Sequence, residues 1–206
     1  TVETIVIDAP DAMRTAAARA AHRPVLKVKL DAQDVVARVR AVREGAPRSV
    51  LVVDANEAWT IGQLASVAAP LRDLGVAMIE QPLPAHADAA LESFRSPVPL
   101  CADESCHVRA DLERCARRYA MVNVKLDKTG GLTEAIALVD AARARGLRVM
   151  VGCMLGTSLA MAPATLIAQD ADFVDLDGPL WMAQDREPAL AIVDSKVGLP
   201  EPGLFG

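Results

Sequence analysis

An α/β chain organised around a parallel sheet is predicted by three features of the sequence. Short apolar runs alternate along the chain with segments of helical periodicity. Three of those runs, Leu51-Val52-Val53-Asp54, Ala77-Met78-Ile79-Glu80 and Pro99-Leu100-Cys101-Ala102-Asp103, stop abruptly at a carboxylate. Buried parallel strands do this when they deliver a polar group to the rim of a sheet. The acids fall 26 and 23 residues apart (80 − 54 and 103 − 80), about one helix and two short loops.

Strand one reads as residues 4–8, and Asp8 with Pro10 suits the cap and first turn of an Ala-rich helix. Strand two spans 25–30. Its helix, 32–44, carries Val35, Val36, Val39 and Val42 at helical spacing and ends at Gly45. Strand three runs to Asp54, with a helix near 61–74 closed by Gly75, and strand four ends at Glu80, with a helix within 87–94. Strand five ends at Asp103 and its helix includes 112–118; strand six is 121–126, with a helix between Gly130-Gly131 and Gly146. Strand seven is 148–153, followed by a helix across 159–168, and strand eight is 173–177. From residue 178 to 206, Pro188, Gly198, Pro200, Pro202 and Gly203 argue against an eighth helix. That tail is expected to run over the barrel or toward another domain. Eight strands with seven intervening helices close most naturally into a modified TIM barrel, (β/α)7β, a parallel eight-stranded barrel occupying residues 1–206. An open doubly wound sheet is the alternative.

Composition agrees with one domain. The 206 residues are 52% hydrophobic but only 3% aromatic, so the core is aliphatic. A net charge of −5 without a basic stripe argues against a nucleic-acid or anionic-membrane surface. No apolar run approaches 18 residues, and residues 1–4 lack a charged n-region and an apolar h-region, so neither a membrane span nor a signal peptide is expected. The four cysteines, Cys101, Cys106, Cys115 and Cys153, form no CxxC pair, which makes a reduced, cytoplasmic setting the expectation. The chain begins almost directly on a strand, as if separated from an upstream segment.

Strand-end parity selects the residues that can do chemistry. Period-two alternation puts Lys27 and Lys29 on one face of strand two, and Asn123 and Lys125 on one face of strand six, with the aliphatics under helices. In an eight-stranded ring these strands are opposed, so Lys29 and Lys125 face each other across the mouth, with Asp54, Glu80 and Asp103 along the arc between them. Three acids without His or Cys beside them suit a hard divalent cation such as Mg²⁺. Lysine serves as a base when burial and a nearby cation lower its pKa. Two amines beside a carboxylate-binding metal suit removal of a proton α to a carboxylate and its return from the opposite face, through an enediolate: racemisation or epimerisation. Asn56, on the same face as Asp54, is expected to brace it, and Glu104, of opposite parity to Asp103, to support from the loop. Asp175 and Asp177 share a face of strand eight, across the mouth from Glu80, and could take a cationic end of the substrate. His22, His86 and His107 show no ligand spacing and read as surface residues; Gly130-Gly131 reads as helix entry rather than a phosphate cradle.

The set Lys27-x-Lys29, Asp54-x-Asn56, Glu80-Gln81-Pro82, Asp103-Glu104 and Lys125 resembles the catalytic domain of the enolase superfamily, muconate-lactonizing subgroup, along essentially the whole chain. The resemblance implies Mg²⁺ on Asp54, Glu80 and Asp103, acid/base roles for Lys29 and Lys125, and Lys27 on the substrate carboxylate. Asp175-x-Asp177, the run Gly152-Cys153-Met154-Leu155-Gly156-Thr157-Ser158 and Asp177-Gly178-Pro179-Leu180-Trp181 resemble the dipeptide epimerases of the L-Ala-D/L-Glu type. By that likeness Asp175 and Asp177 hold the dipeptide ammonium, Met154 lines the substrate, and the role is recycling of cell wall peptides. Alternatives are other subgroup reactions (o-succinylbenzoate synthesis, N-succinylamino acid racemisation, muconate cycloisomerisation) or a metal-binding barrel inactive without its cap. The family's N-terminal capping domain has no counterpart in this chain; contact with such a domain and a homo-oligomer are the expected partners, beside the small-molecule substrate.

Overall fold

The computed structural model describes residues 1–205. Its elements run β1 (Glu3–Ile5), α1 (Pro10–Arg19), β2 (Val25–Lys29), α2 (Val35–Gly45), β3 (Val50–Asp54), α3 (Ile61–Asp73) and β4 (Val76–Glu80). A 3₁₀ turn (Asp88–Ser93) leads to β5 (Leu100–Ala102), α4 (Leu112–Arg118), β6 (Met121–Val124), α5 (Leu126–Thr129), α6 (Leu132–Arg143) and β7 (Arg148–Val151). Then come α7 (Ser158–Met161), α8 (Ala164–Ala168), β8 (Phe173–Val174), a 3₁₀ turn (Gly178–Trp181) and a hairpin, β9 (Ile192–Val193) and β10 (Lys196–Val197).

Strands β1 to β8 form one parallel sheet in sequence order. Accumulated strand twist curls it. The ladder stops at β8, yet the Val2 N–H donates to the Val174 carbonyl at 2.9 Å, so the two edges come within one hydrogen bond of each other.

Two apolar cores follow from strand alternation. Leu26, Val28, Leu51, Val53, Ile79, Val122, Val124, Val149 and Val151 face outward against Met13, Val39, Val42, Leu64, Leu71 and Leu138 of the helices. Val52, Met78, Cys101, Met121 and Met150 face inward and form a separate plug, with Val25 and Phe173 packed on it. Two residues further along the same strands, hence on the same inner face, stand Lys27, Asp54, Glu80, Asp103, Asn123, Gly152 and Asp175. An apolar floor therefore carries a polar layer.

The differences from the expected elements have local causes. Strand one pairs only over Glu3–Ile5, leaving Val6 and Ile7 exposed, and Ala9 rather than Asp8 is the N-cap of α1; Asp8 Oδ1 accepts only the Ala9 N–H. Helix α2 starts at Val35 because Asp34 takes a left-handed φ of 48°. The segment after β4 makes a 3₁₀ turn instead of an α-helix. Strand six stops at Val124, and Leu126 opens α5. The helix expected across 159–168 is two pieces, α7 and α8, with Pro163, which has no N–H, between them. Beyond Val151 and Val174 the chain leaves the ladder to build the mouth. The tail has no eighth helix, as expected, but contains a hairpin whose Asp194 and Ser195 both have positive φ, as a type I′ turn needs. It packs back on the domain: Asp185 accepts from the Ser158 N–H and hydroxyl at 2.8 and 2.5 Å, and Leu190 and Leu204 join the outer core.

Helices α1 and α2 pack closely at Gly45, where an added Cβ would lie 2.3 Å from the Arg14 carbonyl oxygen. Gly45→Ala is expected to lower unfolding free energy by about 1–3 kcal/mol, measured by urea denaturation, because backbone must move to admit the methyl. An unchanged midpoint would show that these helices are free to separate.

Candidate active site

Ladder register lines up the site. Lys29 pairs with Asp54, and Asp54 with Glu80, so three functional groups fall in one row across β2, β3 and β4. Asp103 follows β5, Asn123 lies on β6, and Lys125 sits between β6 and α5. Lys27, 3% exposed, is the hub of the polar layer: its Nζ lies 2.7 Å from Asp175 Oδ2, 2.9 Å from Glu80 Oε2 and 3.0 Å from Asp54 Oδ2. Burial opposes its charge, but Glu80, Asp175 and Asp54 outweigh burial and hold its pKa well above the usual value. The expected contact of Lys27 with a substrate carboxylate is thus taken up, in this structure, by three protein carboxylates.

Lys29 donates to Asp54 Oδ2 at 2.7 Å and to Asn56 Oδ1 at 2.8 Å. Asn56, at a φ of 41°, donates its backbone N–H to Asp54 Oδ1 at 3.0 Å and its amide to Glu104 Oε1 at 3.5 Å. It therefore braces Lys29 as well as Asp54. On the other side Lys125 donates to Asp103 Oδ2 at 2.6 Å. Burial pulls the Lys125 pKa down, yet the charges of Asp103 and Glu80 more than offset it, and the net shift is upward. The lowering expected for a catalytic lysine is reversed for Lys125 by these acids.

The acids differ by their company. Burial disfavours ionisation of Asp103, but Lys128 and Lys125 prevail and hold it below the carboxylate range. Asp54 is likewise held low by Lys27 and Lys29 against burial. Glu80, fully buried beside Asp54, is pushed up to about 7 by burial first and by Asp54 second. The Asn123 amide donates to its Oε1 at 2.6 Å, whereas Oε2, although near Lys27, has no hydrogen bond. Asn123 fits there because residue 152 is Gly; a Cβ would stand 2.6 Å from Asn123 Oδ1. Among the described residues no three His, Cys, Asp or Glu side chains gather as a metal-holding group. Lysine ammoniums instead stand among the acids.

Above this layer opens a cavity of about 490 Å³. Lys27, Lys29, Asn56, Asp103, Glu104 and Lys125 line it, and Met154, Asp175 and Asp177 reach it from β7 and β8, so the structure brings the residues expected from the sequence to one place, with Asp54 and Glu80 buried within the polar layer. Asp175 Oδ1 is buried without a partner, as is Glu104 Oε2. Burial, then Asp103, raises the Glu104 pKa. The sequence reading missed Lys128, which donates to Asp103 Oδ1 at 2.7 Å and to the Asn123 carbonyl at 2.9 Å. The signal was a Lys three residues after Lys125, hidden by extending strand six to residue 126. Thr4, Trp181 and His107 also line the cavity. His107, read as a surface residue, is exposed yet belongs to the mouth. The first-strand Thr4 carries no sequence signal of its own, and Trp181 entered the sequence reading only as the last residue of the run Asp177 to Trp181, without a role.

These features have close relatives. Residues 11–204 match the family described as enolase C-terminal domain-like. The L-Ala-D/L-Glu epimerase of Escherichia coli (strain K12) is 51% identical over 201 residues, which are 97% of this chain and 63% of that protein. The N-acetyl-D-glutamate racemase of a Pseudoalteromonas species is 48% identical over 98% of this chain and 64% of its own length. This chain thus spans just under two thirds of the curated relatives it matches. An enolase family member from Agrobacterium tumefaciens, solved with sodium and L-Ala-L-Glu, superposes with a TM-score of 0.97 at 48% identity over 100% of this chain and 63% of that one. A dipeptide epimerase from Cytophaga hutchinsonii, solved with Mg and D-Ala-L-Val, gives 0.90 at 27% identity over 97% and 58%. On the match across nearly its whole length, the chain belongs to the enolase C-terminal domain-like family.

Proposed function

We propose that this chain is the catalytic barrel of a Mg²⁺-dependent isomerase that epimerises dipeptides of the L-Ala-D/L-Glu kind by two-base proton transfer at the C-terminal residue. The observation that carries the reading is that Lys29 on β2 and Lys125 just beyond β6 come to one cavity from different parts of the sheet, each paired with a different acid. Asp54, Glu80 and Asp103 would hold Mg²⁺, which when bound neutralises the charge that develops on the substrate carboxylate as the α-proton leaves. The residues fit such an ion in chemistry: their donors are carboxylate oxygens, and Glu80 Oε2, buried 2.9 Å from the Lys27 ammonium, makes no hydrogen bond. Lys29 Nζ, oriented by Asn56, takes the proton on one face, and Lys125 Nζ returns one on the other; the roles exchange for the opposite isomer. Lys27 is assigned to the substrate carboxylate, and Asp175 with Asp177 to the ammonium. The curled sheet is read as the closed (β/α)7β barrel, supported by the Val2–Val174 bond. A further segment of the protein is assigned to cover the mouth, where Leu155 and Trp181 are 71% and 50% exposed.

Racemisation of an N-acetylated amino acid is the second reading, favoured by the 48% identical relative of that name. The dipeptide is preferred because Asp175 Oδ1 is buried and unpartnered, and an acylated nitrogen would bring it no cation.

Incubation of L-Ala-D-Glu and L-Ala-L-Glu with the protein and Mg²⁺ in D₂O is expected to place deuterium on the Glu α-carbon, read by NMR. No exchange with these or a wider dipeptide panel would overturn the reading. Lys29→Ala and Lys125→Ala should each slow exchange from a different stereoisomer by about 10²-fold or more; unchanged exchange from both isomers in either variant removes the two-base mechanism. Asp175→Asn should reduce kcat/KM for the dipeptide by about ten- to a hundredfold and N-acetylglutamate exchange much less; N-acetylglutamate exchanging faster than the dipeptide in the unmodified protein, with Asp175→Asn slowing both alike, selects the second reading. Mg²⁺ at about a hundred times its Kd should stabilise the fold by about 2.7 kcal/mol, reversed by EDTA in a thermal melt. A melting temperature indifferent to Mg²⁺ and Mn²⁺ would remove the metal assignment.

A further inference from the structure

Asp177 divides its two oxygens between protein and cavity. Its Oδ2 accepts a hydrogen bond from Thr4 Oγ1 at 2.8 Å and another from Trp181 Nε1 at 3.0 Å. No donor among the described residues is hydrogen-bonded to its Oδ1. Asp175 is divided in the same way: Oδ2 is committed to Lys27 at 2.7 Å, while Oδ1 is buried and unpartnered. The two clamping groups come from opposite ends of the chain. Thr4 is on β1, placed by its pairing with Lys27 on β2, and Trp181 closes the 3₁₀ turn after β8. Both line the cavity.

A carboxylate free to rotate offers either oxygen to a ligand and loses that freedom on binding; one pinned through Oδ2 by two neutral donors presents Oδ1 without that entropic cost. Thr Oγ–H and Trp Nε1–H are neutral, so they orient the acid without cancelling its charge. Burial, and next the neighbouring Asp175, raises the Asp177 pKa, as expected of two like charges that lack a full counter-cation.

We propose that Thr4 and Trp181 are positioning residues for the cationic end of the ligand: by occupying Oδ2 of Asp177 they leave Oδ1 of Asp177 and Oδ1 of Asp175 as the acceptors for a primary ammonium. The inference rests on the dipeptide reading and deepens it. These two residues make the site favour a ligand with a free α-ammonium over one whose nitrogen is acylated. A Thr on the first strand thereby becomes a specificity residue, although its side-chain hydrogen bond goes to Asp177 and not to a proposed metal ligand or to Lys29 or Lys125.

The test is calorimetric titration of the protein, with Mg²⁺ present, using L-Ala-L-Glu and N-acetyl-L-Glu as probes. Thr4→Val and Trp181→Phe, which keep shape but remove the donor, are expected to weaken L-Ala-L-Glu by about tenfold and to leave N-acetyl-L-Glu nearly unchanged. Thr4→Ser, which restores the hydroxyl, should recover wild-type affinity. Equal weakening of both probes, or no weakening of the dipeptide, overturns the inference. A ligand-free measurement separates its failure from that of the function: the Trp181 indole N–H resonance, assigned by its loss in Trp181→Phe, should move on Asp177→Asn. An unmoved resonance overturns the clamp whatever binds. A moved resonance with neither probe bound to the unmodified protein overturns the dipeptide reading, and the specificity role with it, while the clamp stands.

Discussion

The arrangement depends on one buried ammonium. Lys27 joins β2 to carboxylates on the neighbouring strands β3 and β4 and on the segment after β8, and so ties one side of the curled sheet to its far edge at one point. Charges taken out of water carry a desolvation cost that pairing only partly returns, so such a cluster is weak evidence of stability and stronger evidence of a geometry being held. Losing Lys27 itself would strip Glu80 and Asp175 of the ammonium they share. The neighbouring acids, the orientation of Asp175 and the height of Glu80 within the sheet are all set against this one side chain.

Electrostatic asymmetry follows from where the other lysines stand. Asp103 has Lys125 and Lys128, Asp54 has Lys27 and Lys29, and Glu80 has the neutral amide of Asn123 and a share of Lys27. Burial is comparable among the three, so the number of ammonium partners decides which stays ionised and which is pushed up toward 7. The loop carrying Asp103 is itself held from behind. The Gln81 amide oxygen accepts the N–H groups of Asp103 and Ser105 at 2.8 and 3.1 Å, and its nitrogen donates to the Leu83 carbonyl and Ser105 hydroxyl, both at 2.8 Å. A fully buried amide with all its contacts satisfied is a rigid bracket. An acid on a strand tip can thus be positioned as firmly as one within the ladder.

Layering explains why so much polar chemistry is compatible with folding. The plug of Val52, Met78, Cys101, Met121 and Met150 fills the inside of the curl with flexible and small apolar side chains. Water is excluded below the polar layer, so ion pairs form there in a setting that strengthens them. Gly152 completes the layer by having no side chain, which gives Asn123 the room to reach Glu80.

Alternation of apolar and polar residues along each strand is local, and it sufficed to predict eight parallel strands, the inward parity of Lys27, Lys29, Asn123 and Lys125, and the three strand-end acids. Glycine and proline punctuation placed the longer helices for the same reason: backbone permission is written residue by residue. Strand ends were less legible, because leaving the ladder at Val124, Val151 or Val174 depends on what the neighbouring strand offers rather than on the side chain at that position. Only the tertiary structure decided that Lys27 is enclosed by three acids, that Lys128 joins Lys125 on Asp103, and that Thr4 and Trp181 meet on Asp177 from opposite ends of the chain. Those contacts are set by how far the sheet curls, a sum of twists over all eight strands that no single stretch of sequence contains.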